Sequence, residues 1–200
     1  MKTTSLARVA AALLFVPLSA GAATVLSFDS LSLATYQSSL SSGGWTFSAA
    51  TSGPGPVNIS VDNVGRIASG ADHSLGFGYP FVDGSPISSV SIRTTDGSSF
   101  KLESFVLSDG FGNPNLRVQA YLDGAPVVYT PLDRNVFDSS STFNFTGWDN
   151  LDEIRITNFT GSADLNFDVD DITWSAAVIP ESASAGMLGL AALGLFRRRR

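Results

Sequence analysis

The stretch 165–174 holds two adjacent carboxylates where an ordinary strand has no place for them. Leu165, Phe167 and Val169 set an apolar face on odd numbers, whereas Ile172 and Trp174 set it on even numbers. A strand alternates its faces every residue, so the phase must slip at Asp170-Asp171, as the extra residue of a β-bulge makes it do. A bulge re-aims a side chain, which turns one of these carboxylates toward a sheet edge. Carboxylate and carbonyl oxygens gathered there would suit Ca²⁺, a hard cation that takes about 6–8 oxygen ligands. The competing reading is a pair of solvated aspartates that blunts an edge strand against aggregation.

Other candidate chemistry is thinner. His73, the single histidine, sits in Asp72-His73-Ser74, and neighbours on a strand point to opposite faces. No nucleophile elbow, zinc motif, phosphate loop or dinucleotide fingerprint is present. Asp149 with Asp152 or Glu153 could in principle form a glycosidase pair, but acidic turns are far commoner, and the sequence reads as non-catalytic. Tyr36, Trp45, Tyr79, Tyr121, Tyr129 and Trp148 are rings on which a sugar could stack. Tryptophan in a sandwich usually belongs to the core. Tyr121 falls on the polar phase of its strand and is expected to face outward.

The elements that must position these residues read as short strands. Val57, Ile59 and Val61 alternate with polar residues, as do Leu116, Val118, Ala120 and Leu122; both are the period of a half-buried strand. Asp123-Gly124 between two such runs signals a tight hairpin, with Pro126 opening the second strand. Further strands are expected near 24–28, 44–49, 87–93, 100–108, 141–146, 151–158 and 164–174, divided by Gly-, Pro- and Asp-rich turns. Residues 31–40 alone carry a spacing compatible with a helix. About ten strands at this spacing predict an all-β chain, an antiparallel β-sandwich of jelly-roll-like form over residues 23–176.

The chain has no cysteine, which excludes a disulfide framework and thiolate metal sites. Its formal net charge of -6 conceals an asymmetry. Lys2 and Arg8 lie at one end and Arg197, Arg198, Arg199 and Arg200 at the other; between them 6 bases face 18 acids, a net charge of -12. A stretch that acidic repels nucleic acid and anionic lipid, so nucleic acid is not an expected partner. Divalent cations, neutral glycans and proteins are the better candidates, although acids also serve simply to keep an exported domain soluble.

The two ends have their own logic. Residues 1–22 show a basic start, an apolar run over 9–20 too short to span a bilayer, and Ala20-Gly21-Ala22, an A-x-A site that places signal-peptide cleavage after Ala22. Residues 182–196 are uncharged and apolar; as a single hydrophobic helix they would be about 22 Å long at about 1.5 Å per residue. The arginine cluster 197–200 would hold that end in the cytoplasm. Everything before residue 182 would then lie outside, consistent with a cleaved leader.

The run Val178-Ile179-Pro180-Glu181-Ser182, the apolar segment and the terminal arginines together resemble the PEP-CTERM sorting signal over residues 177–200. Ser182 stands where that family has a second proline. The resemblance implies transient insertion in the inner membrane, tail removal by an exosortase-type processing enzyme, and a final location at the cell surface or in the extracellular matrix, with exopolysaccharide as a partner. In that reading Val178, Pro180, Glu181 and the four arginines form the sorting motif.

A second, looser resemblance spans about 150 residues. The stretches 100–107, 116–124, 145–154 and 167–172 are similar to jelly-roll modules of extracellular proteins, including carbohydrate-binding and MAM-like domains. Such modules open with Phe-Asp on the first strand and close with Asp-Asp-Ile on the last, here Phe28-Asp29 and Asp170-Asp171-Ile172. Pairing of first and last strands, as in those modules, would bring Asp29 beside Asp170 or Asp171 as a structural Ca²⁺ site. The expected function is a structural or adhesive surface protein, with a Ca²⁺-dependent carbohydrate-binding module as the alternative and a glycan-cleaving enzyme behind both. Mass spectrometry of the exported form should find residues 23–181, with both ends removed; a secreted chain retaining residues 182–200 would exclude tail processing.

Overall fold

The computed structural model describes residues 21–53, 58–62, 72–78, 86–109, 115–133, 140–158 and 165–177. Residues 1–20 of the expected signal peptide and the expected tail helix lie outside the described residues. Among the described residues thirteen strands follow in order: β1 (Thr24–Leu26), β2 (Ala34–Gln37), β3 (Ser39–Ser42), β4 (Trp45–Thr51), β5 (Asn58–Asp62), β6 (Ser74–Phe77), β7 (Ile87–Thr94), β8 (Phe100–Asp109), β9 (Asn115–Leu122), β10 (Ala125–Asp133), β11 (Ser140–Asn144), β12 (Glu153–Asn158) and β13 (Phe167–Ala176). They form two antiparallel sheets enclosing one core. The first runs β11-β8-β13-β6-β5-β2, with β1 also paired to β13; the second runs β10-β9-β12-β7-β4-β3. No helix among the described residues is long and apolar enough to cross a membrane.

Period-two alternation builds both inner faces. In β7, Val90 and Ile92 are buried while Ser89, Ser91 and Arg93 face away; in β12, Ile154 and Ile156 are buried opposite Arg155 and Thr157. Trp45 of the second sheet is fully buried between rings of the first, its centroid 4.7 Å from Phe100 and 5.2 Å from Trp174, both edge-on. Phe28 meets Phe47 across the layers in the same way at 5.4 Å. The expected hairpin forms at Asp123-Gly124, where Ala125 pairs with Leu122 and both turn residues have positive φ, 52° and 74°, as a two-residue turn matched to strand twist requires. Pro126 lies on the edge strand β10, beside a bulge, where its missing N–H breaks no ladder.

The spacing over 31–40 that is compatible with a helix does not form one: β2 and β3 occupy most of that stretch. Ser38 sits between them at φ 57° and hands the chain from the first sheet to the second. Serines and a threonine gain little from a helix, whereas Leu40 placed on β3 enters the core opposite Phe47. Tertiary burial therefore decides the local conformation. Trp45→Ala should lower the unfolding free energy by about 3–5 kcal/mol, read from urea midpoints at unchanged slope; a loss under about 1 kcal/mol would show that Trp45 does not join the two layers.

Candidate functional site

Strand β13 changes neighbours along one of its edges. Phe167, Asp168 and Val169 pair with Phe77, Gly76 and Leu75 of β6, whereas Ile172, Thr173 and Trp174 pair with Leu26, Val25 and Thr24 of β1. Its other edge follows β8 throughout, with the register shifting between Asp170 and Thr173. The bulge expected at Asp170-Asp171 is therefore present, and Asp171 adopts φ 46°. It falls in the interval where one neighbour has ended and the other has not begun. Asp29 follows the end of β1 and Asp72 precedes the start of β6, so chain direction carries both toward this interval.

The expected pairing of first and last strands thus brings Asp29 together with Asp170 and Asp171, and Asp72 joins them. The Asp29 carboxylate accepts the His73 backbone N–H at 3.0 Å, tying the two strand ends together. This N–H holds its carboxyl below the usual carboxylate range. Asp72 is held above that range, first by its hydrogen bond with Asp29 and then by desolvation and the charges of Asp29 and Asp171. Asp170 is 2% exposed. Burial pushes its carboxyl up to about 7 against the hydrogen bond it accepts from the Asp171 N–H at 2.8 Å, and the charges of Asp171, Asp72 and Asp29 add to the rise. The Ser74 hydroxyl, wholly buried at the start of β6, has no hydrogen-bond partner. The donors are all hard oxygens, the type Ca²⁺ takes. In this arrangement, however, no three His, Asp or Glu side chains among the described residues are grouped as metal ligands would be.

A second polar assembly lies on the outer face of the second sheet. Three cross-strand rows can be followed there. One joins Ser41, Thr46 and Arg93, with Glu153 and Tyr121 paired further along; the next joins Ser39, Ser48, Ser91, Arg155 and Gln119; the third joins Ala50, Ser89, Thr157 and Arg117. Glu153 is buried at the centre. One of its oxygens accepts from Ser91 Oγ at 2.8 Å and Arg155 Nη2 at 2.8 Å; the other accepts from Arg93 Nη2 at 2.7 Å. Burial opposes its ionisation, but the bonds from Ser91, Arg155 and Arg93 outweigh burial and hold the carboxyl below its usual range. The Arg155 guanidinium also lies 4.4 Å over the Tyr121 ring, a cation–π contact.

The remaining sequence candidates separate from both assemblies. The His73 ring places Nδ1 2.9 Å from the Leu31 carbonyl oxygen; a carbonyl only accepts, so Nδ1 carries the proton. Asp149 reaches Lys101 at 3.9 Å, and Asp152 accepts the Asp123 N–H. Trp45 and Trp148 are core residues, while Tyr121 faces outward as expected. Ala22 is exposed ahead of β1. Ala20, Val178, Pro180, Glu181, Arg197, Arg198, Arg199 and Arg200 lie outside the described residues, as do the Tyr36, Tyr79 and Tyr129 side chains. Reading the sequence alone did not single out Asp72 or the Arg93–Glu153–Arg155 group, although each member of that group lies on the polar phase of its strand.

No protein-family model matches the chain, and no curated protein matches it. Among solved structures it is similar to the family 32 CBM from C. perfringens NanJ, determined in complex with galactose. The identity is 18%, over 70% of this chain and 98% of that one, with a TM-score of 0.37.

The acidic corner yields a pH signature. Asp170 keeps its proton in the folded state up to about 7, whereas unfolded aspartate releases it near 4. Between those values the folded chain binds more protons, so this group makes stability fall as pH rises from about 4 to about 7 and has no further effect above. Asp170→Asn keeps an acceptor for the Asp171 N–H and removes the charge. In chelator-containing buffer it should gain on the native chain by about 2–4 kcal/mol between pH 4 and pH 8. Parallel stability–pH curves would remove Asp170 as the cause.

Proposed function

We propose that this chain is an exported surface or matrix protein, addressed by its PEP-CTERM-like tail, whose jelly-roll-like sandwich is a glycan-binding module and not an enzyme. The outer face of the second sheet carries this reading. Its rows include serine and threonine hydroxyls, an amide, guanidinium groups and the Tyr121 ring, on five adjacent strands. Polar groups held on rigid elements around an aromatic surface are what recognition of a hydroxylated ring requires. Adhesion to a polysaccharide matrix would follow from that binding, which joins the structural role to the binding one. Of the catalytic candidates in the sequence, Glu153 is paired with two arginines, Asp149 with Lys101, and His73 with the Leu31 carbonyl.

The acidic corner supports Ca²⁺ as a structural ion in this proposal. Asp29, Asp72, Asp170 and Asp171 would have to draw closer together to hold it, since no three of them are grouped as ligands among the described residues. The support is the oxygen donor set and the clustering of like charge at one strand junction. An exosortase-type enzyme is the partner proposed for the tail, through the lead-in Val178 to Ser182 and the arginines 197–200.

One pair of measurements tests the reading. A glycan array probed with the purified chain in Ca²⁺ and in chelator should give saturable hits, and the thermal midpoint should rise in Ca²⁺ for the native chain but not for Asp170→Asn. An array without hits would end the glycan-binding proposal; equal midpoints in Ca²⁺ and chelator would end the proposal of a bound ion.

A further inference from the structure

The charge on the outer face of the second sheet has the opposite sign to the rest of the domain. Between its basic ends the chain carries a net charge of -12. Of the four lysine and arginine residues described there, Arg93, Arg117 and Arg155 all lie on this one face. Glu153 is the single acid in the three rows, and it is buried beneath its two arginines: side-chain exposure is 5% for Glu153, 56% for Arg93 and 36% for Arg155. What reaches solvent is therefore cationic.

Glu153 also fixes the geometry of that charge. Arg155 donates to it through Nε at 3.1 Å and Nη2 at 2.8 Å and stacks on Tyr121; Arg93 donates through Nη2 at 2.7 Å and through Nε to Ser91 Oγ at 3.2 Å. A guanidinium has five N–H donors: Arg93 is anchored through Nε and Nη2 and keeps donors on its Nη1 side, while Arg155, which also donates from Nη1 to the Tyr121 hydroxyl at 3.5 Å, keeps fewer. Two anchored guanidiniums lose little further freedom on binding an anion, and their forks match a carboxylate. Serine and threonine hydroxyls flank them across rows that at about 4.8 Å per strand extend roughly 19 Å.

We infer that this face binds an anionic polysaccharide, a polyuronate-type chain whose carboxylates meet Arg93 and Arg155 while its hydroxyls meet the flanking rows. The inference rests on the glycan-binding reading and names the class of glycan. Protein partners fit less well, because protein interfaces are built on an apolar, serine-poor centre, and this face has charge and hydroxyls at its centre. The chain's own acidic remainder is a charge-complementary partner, but it supplies no such centre either.

Polygalacturonate, dextran and poly-glutamate, each titrated against the purified full-length chain by calorimetry, separate the outcomes. Polygalacturonate should bind and dextran bind at least tenfold more weakly, with the difference shrinking at high salt. Arg93→Gln, at an exposed position, should weaken polygalacturonate binding roughly tenfold, the loss of one charge-assisted contact. Lys101→Gln, a base on the other sheet, should bind as the native chain does. Arg155→Gln should act like Arg93→Gln, and if it unfolds the chain, Arg93→Gln still decides. Equal affinity for poly-glutamate would assign the face to acidic protein. Self-association in sedimentation that Arg93→Gln abolishes would assign it to a second copy. Unchanged polygalacturonate affinity in Arg93→Gln would also overturn the inference. Binding to dextran alone would leave the glycan-binding reading standing without this one; array hits for neither neutral nor acidic glycans would end both.

Discussion

The last strand of the sandwich depends on two different neighbours along one edge, and much of the polar architecture follows from that. β13 lies inside the first sheet, flanked along its length by β8 and on the other side by β6 and then β1. Neither β6 nor β1 alone is long enough to satisfy that edge. Where the first stops, the backbone of β13 has no ladder partner on that side, and an unpaired buried backbone is costly. The bulge at Asp170-Asp171 occupies this interval, and the Asp170 carboxylate accepts the backbone N–H of Asp171 there. Asp29 does the same for His73 at the start of β6. Carboxylates are therefore concentrated at the junction because it has N–H groups to satisfy, and their mutual repulsion follows from meeting that need.

The two sheets distribute charge differently. In the first, carboxylates collect at the strand junction, and their like charge is relieved by keeping Asp72 and Asp170 protonated more readily than usual. In the second, Glu153 is buried but flanked by two guanidiniums and a hydroxyl, so its charge is stabilised. A carboxyl group in two surroundings takes opposite protonation preferences. Desolvation is present in both; a pair of guanidiniums is present in only one.

Much of this was legible in the sequence where alternation was strict. β5 and β9 announce themselves by period two, and the phase slip in 165–174 marks the bulge. The pairing of β1 with β13, expected from a family likeness, placed Asp29 in the right corner. What could not be read was either short or buried on both sides. β6 is Ser-Leu-Gly-Phe with every residue buried, so it has no polar phase to alternate against. β2 and β3 are separated by a single positive-φ serine, and their spacing imitates a helix because sequence does not show that the chain changes sheets at Ser38. Asp72 was missed for the same reason: its partners lie 43 and more positions away, and only the junction of β6 with β1 brings them near.

The Arg93–Glu153–Arg155 group shows how a position in a sheet gives meaning to residues that look ordinary in sequence. Each is one charged residue on the outer phase of an alternating strand, and such residues usually serve solubility. Register makes the difference. Ile154 opposite Ile92 fixes Glu153 beside Arg93, and Arg155 opposite Ser91 and Gln119 fixes it beneath the Tyr121 row. A slip of one residue in β12 would send Glu153 and Arg155 into the core and Ile154 and Ile156 into water. The apolar core thus enforces the polar register on the far side of the same strands. A buried carboxylate between two arginines is weak evidence of stability by itself, since desolvation offsets much of the attraction. Here the packing of Ile92, Ile154 and Val118 already holds the strands in place, so the ion pairs are not required to define the fold. Their physical effect is instead to hold cationic groups still on an otherwise acidic domain.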